Sequence, residues 1–138
     1  MFKKILIAVD GSPSSKRAAD YAIELAAKNK ASLDVAGVIL FADDADAHNA
    51  FLKERAWFSK AVGDVVLKAK RKRVRANPFV LGGAAEEVLV NLAREQKSDL
   101  VVVGYWGSAT GSDIARIALG NIHNALLKAP RVPLLVVK

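Results

Sequence analysis

The chain has 138 residues, a net charge of +7 at neutral pH and no cysteine. This length fits a single domain over residues 1–138, and the lack of cysteine excludes disulfides, thiolate nucleophiles and cysteine-based zinc sites while fitting a reducing compartment such as the cytoplasm. No apolar run reaches the roughly 20 residues of a membrane-spanning helix, so we expect a protein without a membrane anchor.

Apolar stretches rich in β-branched residues alternate with helical patterns along the chain. Strands are predicted at residues 5–9, 33–41, 74–81, 100–103 and 134–137, and helices at residues 13–29, 49–70, 84–95 and 121–128. This alternation predicts an α/β fold, in which a five-stranded parallel open sheet is covered by helices on both faces and is doubly wound. Pro78 lacks a backbone N–H, which favours an edge or an irregular position for the third strand. The apolar side of the second helix is expected to include Leu52, Trp57, Val62 and Val66.

Two of the predicted strands end in turns that suit ligand binding. The segment Asp10-Gly11-Ser12-Pro13 follows the first strand, and a glycine-rich segment that begins at Gly104 follows the fourth. Ser12 can cap the next helix, and Pro13 suits its first position. In open parallel sheets, ligands bind outside the carboxyl ends of the strands, and the N–H groups of a helix start favour anions. The pattern predicts a crevice that binds the phosphates of a nucleotide.

The positive charge is concentrated in one basic run. Its six cations lie within eight residues and are Lys68, Lys70, Arg71, Lys72, Arg73 and Arg75. The run ends the second predicted helix, where cations interact favourably with the helix dipole. We therefore expect a solvated helix end. Nucleic acid binding is not expected, because no aromatic residue is interleaved to stack on bases, and whether the run has another ligand stays open.

Motifs for catalysis are sparse. Asp43, Asp44, Asp46 and His48 have the composition of a metal site but not the spacing of an EF-hand, so we expect a solvated loop and no metal site. No Gly-x-Ser-x-Gly elbow surrounds the serines at residues 12–15, and the sequence has no P-loop motif. We expect little or no catalysis.

Four segments resemble, in order along the chain, the universal stress protein family. They are residues 5–15, 82–89, 98–104 and 120–137. The resemblance covers nearly the whole chain and implies the five-stranded, adenine-nucleotide-hydrolase-like fold of that family, usually as a dimer. One branch of the family binds ATP with a motif of Gly-x-x-Gly, nine residues, and then Gly followed by Ser or Thr.

The phosphate-binding motif of this chain departs from the family pattern in two ways. Gly104 and Gly107 match its first half, but twelve residues separate Gly107 from Gly120. Asn121 stands where a hydroxyl residue is usual; asparagine can cap a helix but lacks the hydroxyl contact to phosphate. The longer loop could fold outward or remove the phosphate cradle. Because the glycines are kept, the resemblance implies binding of ATP or AMP by Gly104, Gly107, Gly120 and Asn121, with Mg²⁺ on the phosphates.

The resemblance also assigns two residues to the nucleoside. Asp10 matches the acidic residue near the ribose and the base, although orienting the turn would also account for it. Val38 matches the second-strand residue whose backbone pairs with adenine, and it can be a core valine as well. Tyr105 and Trp106 are expected to pack rather than to stack on a base.

Three functions are compatible with the sequence. The first is a regulatory module that binds ATP or AMP. The second is a dimeric stress protein without a nucleotide, acting through an unknown protein partner, and the third is a slow ATP hydrolase. In each case the last strand, at residues 134–137, is expected at a sheet edge, which predicts a symmetric homodimer through that strand.

Overall fold

The computed structural model describes residues 1–39, 47–105 and 132–138. Within these ranges, five strands and three helices follow one another in the predicted order. The elements are β1 (Lys4–Ala8), α1 (Pro13–Asn29), β2 (Ser32–Ile39), α2 (Ala47–Arg71), β3 (Ala76–Gly82), α3 (Ala85–Glu95), β4 (Leu100–Gly104) and β5 (Leu134–Val137). The helix predicted at residues 121–128 and the acidic residues Asp43, Asp44 and Asp46 lie outside the described residues.

The five strands form one parallel sheet in the order β3-β2-β1-β4-β5. This confirms the predicted five-stranded parallel α/β fold. The chain moves outward from β1 to β3, returns to the centre at β4 and then moves outward to β5. The strand order therefore reverses between β1 and β4, and a crevice is expected at the carboxyl ends of these two strands.

Helices cover both faces of the sheet, which explains the continuous apolar run of β1. Ile5 and Ile7 face α1 and α2, whereas Leu6 faces the opposite side, where α3 packs. All three side chains are fully buried, and each contributes about 1.5–3 kcal/mol to the free energy of folding. A strand buried on both faces reads as uninterrupted hydrophobicity rather than as an alternating pattern.

The start of α1 and the edge position of β3 agree with the sequence-based predictions. Ser12 is the N-cap of α1, its hydroxyl accepts a hydrogen bond from the Ser15 N–H at 3.3 Å, and Pro13 is the first helical residue. In the described sheet, β3 is an edge strand next to β2, and Pro78 is exposed there. Proline is tolerated because an edge strand needs ladder hydrogen bonds on one side only.

The apolar side of α2 is buried only in part, which corrects the sequence-based expectation. Val62 and Val66 are buried, but Leu52 is 48% and Trp57 56% exposed. The 25 residues of α2 extend about 37 Å, whereas the 8 residues of β2 beneath it extend about 26 Å. The first turns of α2 therefore project past the carboxyl ends of the described strands.

Candidate functional site

The turn after β1 is held by a closed set of hydrogen bonds. Asp10 Oδ1 accepts from the Ser12 N–H at 2.9 Å, and the Asp10 N–H donates to Ser15 Oγ at 3.1 Å. Gly11 adopts a φ of +82°, which favours glycine. Asp10 thus orients the turn, which is the interpretation of this residue that needs no ligand. In the part of the chain that the structure describes, its second carboxylate oxygen has no hydrogen-bond partner, so the same side chain can also accept from a ligand.

Gly104 ends β4 beside this turn. A Cβ built on Gly104 would lie 2.8 Å from the Ser14 carbonyl carbon and 2.8 Å from the Ser15 nitrogen. Glycine therefore lets the end of β4 approach the first turn of α1, which accounts for this residue without a ligand. Ser15 contacts both Asp10 and Gly104, so the fold brings these two predicted site residues together.

The backbone of Val38 points toward the same crevice. The Ala36 carbonyl accepts from the Val9 N–H at 2.8 Å, and the Ile39 carbonyl accepts from the Gly83 N–H at 2.9 Å. Because backbone groups alternate along a strand, the Val38 N–H and C=O face the β1 side. Ala8 is the last residue of β1 that pairs with β2, so both groups lie past the end of the ladder. The Val38 side chain is half-buried and packs on the α3 side of the sheet.

Trp57 of α2 joins the site, a role that the sequence analysis did not give it when it placed Trp57 on the apolar side of the helix. Its indole N–H donates to the Asp10 carbonyl oxygen at 3.1 Å. A Cβ built on Gly11 would lie 2.9 Å from Trp57 Cζ2, so the ring lies directly against the turn. The indole N–H is the signal that could have indicated this position, because a tryptophan in the core still needs an acceptor for it.

The chain matches known proteins over its whole length. The family model described as the universal stress protein family covers residues 1–138. The chain belongs to the universal stress protein family. A universal stress protein of Mycobacterium tuberculosis is 32% identical over 148 residues, covering 99% of this chain and 96% of the relative.

Solved structures of universal stress proteins share the fold. One from Burkholderia pseudomallei has a TM-score of 0.80 and 26% identity, and the match covers 99% of this chain and 96% of that one. Another, a universal stress protein in complex with cAMP, has a TM-score of 0.70 and 27% identity, with 99% and 97% covered. At least one structural relative of this chain therefore binds an adenine nucleotide.

Tyr105 follows β4 and contacts the end of the last strand in this universal stress protein. The Tyr105 N–H donates to the Val137 carbonyl at 2.7 Å. The Tyr105 ring is partly exposed, and Lys138 Nζ lies 5.7 Å from its centre, within the range of a cation–π contact. Tyr105 thus contacts the chain terminus at the carboxyl edge of the sheet.

Four further residues named in the sequence analysis lie outside the described residues, namely Gly107, Gly120, Asn121 and Trp106. Within residues 1–39, 47–105 and 132–138, no group of three or more His, Cys, Asp or Glu could hold a metal ion. None of the described helices is both long and apolar enough to span a bilayer.

The described groups at this site can pair with a ligand through hydrogen bonds. Asp10 supplies a carboxylate acceptor and Val38 a backbone donor and acceptor, the groups that hydroxyls and the edge of a base can pair with. The hydroxyls of Ser12 and Ser15 accept from backbone N–H groups of the turn. Both hydroxyl oxygens thus serve the turn and the start of α1.

Proposed function

We propose that this universal stress protein binds an adenine nucleotide at the carboxyl ends of β1 and β4 and acts as a regulatory module with little or no catalysis. The observation that carries the proposal is the fixed Asp10 turn, which presents a carboxylate at the point where strand order reverses. The Val38 backbone lies at the end of the neighbouring strand. Family membership and the cAMP complex of a 27% identical relative support this class of ligand.

ATP or AMP is the nucleotide that the family motif favours. In this proposal Asp10 accepts hydrogen bonds from the ribose, Val38 pairs with adenine through its backbone, and the phosphates meet Gly107, Gly120 and Asn121, with Mg²⁺ on the phosphates of ATP. The twelve residues between Gly107 and Gly120 depart from the motif, and that departure concerns the phosphates alone. cAMP is a second candidate, supported by the complex of the relative, and its single cyclic phosphate needs fewer contacts.

Calorimetric titration of the full chain with ATP, AMP, cAMP and adenosine tests the proposal. We expect Asp10→Asn to weaken every ligand by about ten- to a hundredfold, because a hydrogen bond to a charged group contributes about 1.5–3 kcal/mol. Asp64→Asn, which neutralises an exposed carboxylate on α2, is the matched control and should bind as the parent does. An absence of heat and of thermal shift at millimolar nucleotide would favour a stress protein that acts through protein partners only.

Gly120→Val separates the phosphates from the nucleoside. Valine places a Cβ and two methyls where the proposed binding mode brings the backbone against phosphate oxygens. We expect this variant to bind ATP or AMP much more weakly and to bind adenosine as the parent does. A folded Gly120→Val protein with unchanged ATP affinity would show that the phosphate assignment is wrong.

Slow or absent turnover is the catalytic part of the proposal. Rapid phosphoryl transfer needs a positioned metal and a group that orients water, and the sequence motifs supply neither. We expect phosphate release from ATP to stay below about one per second, near the low end of ordinary enzyme turnover. Faster steady release, abolished by Asp10→Asn, would identify an ATP hydrolase instead.

A further inference from the structure

A second concavity opens at the amino ends of the strands, at the opposite end of the sheet from the proposed nucleotide crevice. Its volume is about 400 Å³, and it lies between the end of α1, the start of β2 and the connection from α2 to β3. Four of its nine lining residues are cations, and none is acidic. We call it the basic pocket; its cations are Lys30, Lys72, Arg73 and Arg75. The volume lies in the range of small-ligand sites.

The charge of the basic pocket is not neutralised within the described ranges. The ion pairs found there involve Lys4, Lys28 and Lys68, and no pocket cation is paired with a described carboxylate. The carboxyl ends of α1 and α2 contribute about half a negative charge each, roughly one charge in total against four cations. A concave surface with this excess concentrates anions.

The way the helices end fixes the backbone conformation of two of the cations. Lys30 follows α1 with φ 54°, and the Ala31 N–H donates to the Ala26 carbonyl at 2.9 Å. Arg73 follows α2 with φ 59°, and the Val74 N–H donates to the Ala69 carbonyl at 2.9 Å. Both are Schellman ends, in which the left-handed position is usually glycine.

Both of these helix ends carry a cation at a position of backbone strain. A residue with a Cβ is strained in the left-handed region, so Lys30 and Arg73 keep a charge where glycine would be more stable. Lys97, at the end of α3, has φ 55° as well but does not line the pocket, so only the convergence of charges in a concavity distinguishes Lys30 and Arg73.

We propose that the basic pocket binds a compact polyphosphate anion, a diphosphate or triphosphate group, through Lys30, Arg73 and Arg75. Arginine can donate two parallel hydrogen bonds to phosphate oxygens, and lysine adds a point charge. The nine described lining residues include no aromatic side chain, which a stacking site for single-stranded nucleic acid would require. Inorganic polyphosphate and the phosphates of a free nucleotide share this chemistry.

Titration of the ¹⁵N-labelled full chain with tripolyphosphate, followed by NMR and calorimetry at low salt, tests the proposal. We expect the amides of Ala31, Ser32 and Val74 to shift and the affinity to fall steeply as salt is added. Arg73→Gly and Lys30→Gly should each weaken binding at least tenfold. Both variants relieve a positive φ, so they should fold and the loss of binding reports the charge. Lys97→Gly relieves the same strain outside the pocket and should leave binding unchanged.

Comparing the titration with ATP and the titration with tripolyphosphate distinguishes nucleotide phosphates from inorganic polyphosphate as the ligand. ATP that shifts the pocket amides as tripolyphosphate does supports nucleotide phosphates as the source, and ATP that shifts only amides near Asp10 and Gly104 supports inorganic polyphosphate. Tripolyphosphate shifts confined to that crevice would overturn the proposal, as would equal losses in Lys97→Gly and Arg73→Gly. Tighter binding of a single-stranded oligonucleotide than of tripolyphosphate, weakened by Arg73→Gly, would overturn it in favour of nucleic acid.

Discussion

At the scale of single residues, Gly104 sets how closely β4 approaches the start of α1. The methyl group of alanine would lie 2.8 Å from backbone atoms of Ser14 and Ser15, which cannot retreat without moving the first turn of the helix. We expect Gly104→Ala to lower the free energy of unfolding by about 1–3 kcal/mol, the usual cost of an overpacked site. Urea denaturation followed by circular dichroism measures it.

Gly63→Ala is the matched control for that substitution. Gly63 lies within α2, and a Cβ there would meet nothing within 4 Å. Alanine should therefore raise the free energy of unfolding by about 0.5–1 kcal/mol through its higher helix propensity. A Gly104→Ala protein as stable as the parent would mean that β4 does not need the close approach.

A second prediction for single residues concerns Lys30 and Arg73, which have a left-handed backbone conformation at the helix ends. Lys30→Gly and Arg73→Gly remove a positive φ of a residue with a Cβ and should raise the free energy of unfolding by about 0.5–1 kcal/mol. Arg73→Ala removes the same charge but keeps the strain, so it should not stabilise the fold. Thermal denaturation compares the three variants. A stabilisation in Arg73→Ala equal to that in Arg73→Gly would assign the effect to charge repulsion.

At the scale of elements, the projecting start of α2 places Trp57 against the Asp10 turn. The chain has two tryptophans, so Trp106→Phe leaves Trp57 as the sole indole fluorophore. In that background we expect nucleotide binding at Asp10 to change the intensity or wavelength of Trp57 emission, because the ligand alters the surroundings of the half-exposed ring. Unchanged emission at saturation, with binding established by calorimetry, would place the ligand away from α2.

Secondary structure was predictable wherever local chemistry decides it. Ser12 and Pro13 mark the start of α1, and Pro78 identifies an edge strand, because caps and missing N–H groups act locally. The place of Trp57 at the Asp10 turn was missed because periodicity shows which side of a helix is apolar but not how far the sheet extends beneath it. Asp34 was also missed; it is buried in β2 and accepts from Asn77 Nδ2 at 3.0 Å, a contact between strands.

The candidate site was predictable in outline only. Asp10 could be singled out because a polar residue at the end of a buried strand faces the ligand edge of a parallel sheet. The direction of the Val38 backbone depends on where β1 stops pairing with β2, and this register is absent from a local pattern. The basic pocket needs two helix ends, more than forty residues apart in sequence, to meet, and the run from Lys68 to Arg75 alone indicated a solvated end.

At the scale of the whole molecule, α1 runs from the carboxyl ends of the strands to their amino ends. Its first turn contacts Gly104 in the crevice, and its last residues precede Lys30 in the basic pocket. Its 17 residues extend about 26 Å, so the proposed anion sites lie on opposite ends of one helix. The two sites should therefore bind their ligands independently. Variants at one end of α1 can serve as controls for binding at the other end.

The prediction of a homodimer rests on the position of β5 at the edge of the described sheet. β5 is an edge strand, and Val136 is 38% exposed. The carbonyls of Pro133 and Val137 accept from β4 and its following turn, so alternation directs the backbone groups of Leu134 and Val136 away from β4. An apolar edge of this kind is a template for another strand, and a two-fold axis would pair two copies antiparallel.

Val136→Pro tests this pairing without opening the β4–β5 ladder. Proline removes one outward N–H and adds a ring that an approaching strand would meet, whereas a substitution at Val137, which is buried, would damage the core as well. We expect the parent and Val136→Thr to sediment as dimers at micromolar concentration and Val136→Pro to sediment as a folded monomer. Val136→Thr keeps the N–H and the β-branched shape. If that variant is also a monomer, the interface depends on the side chain rather than on strand pairing. A monomeric parent would mean that this edge is covered within one chain.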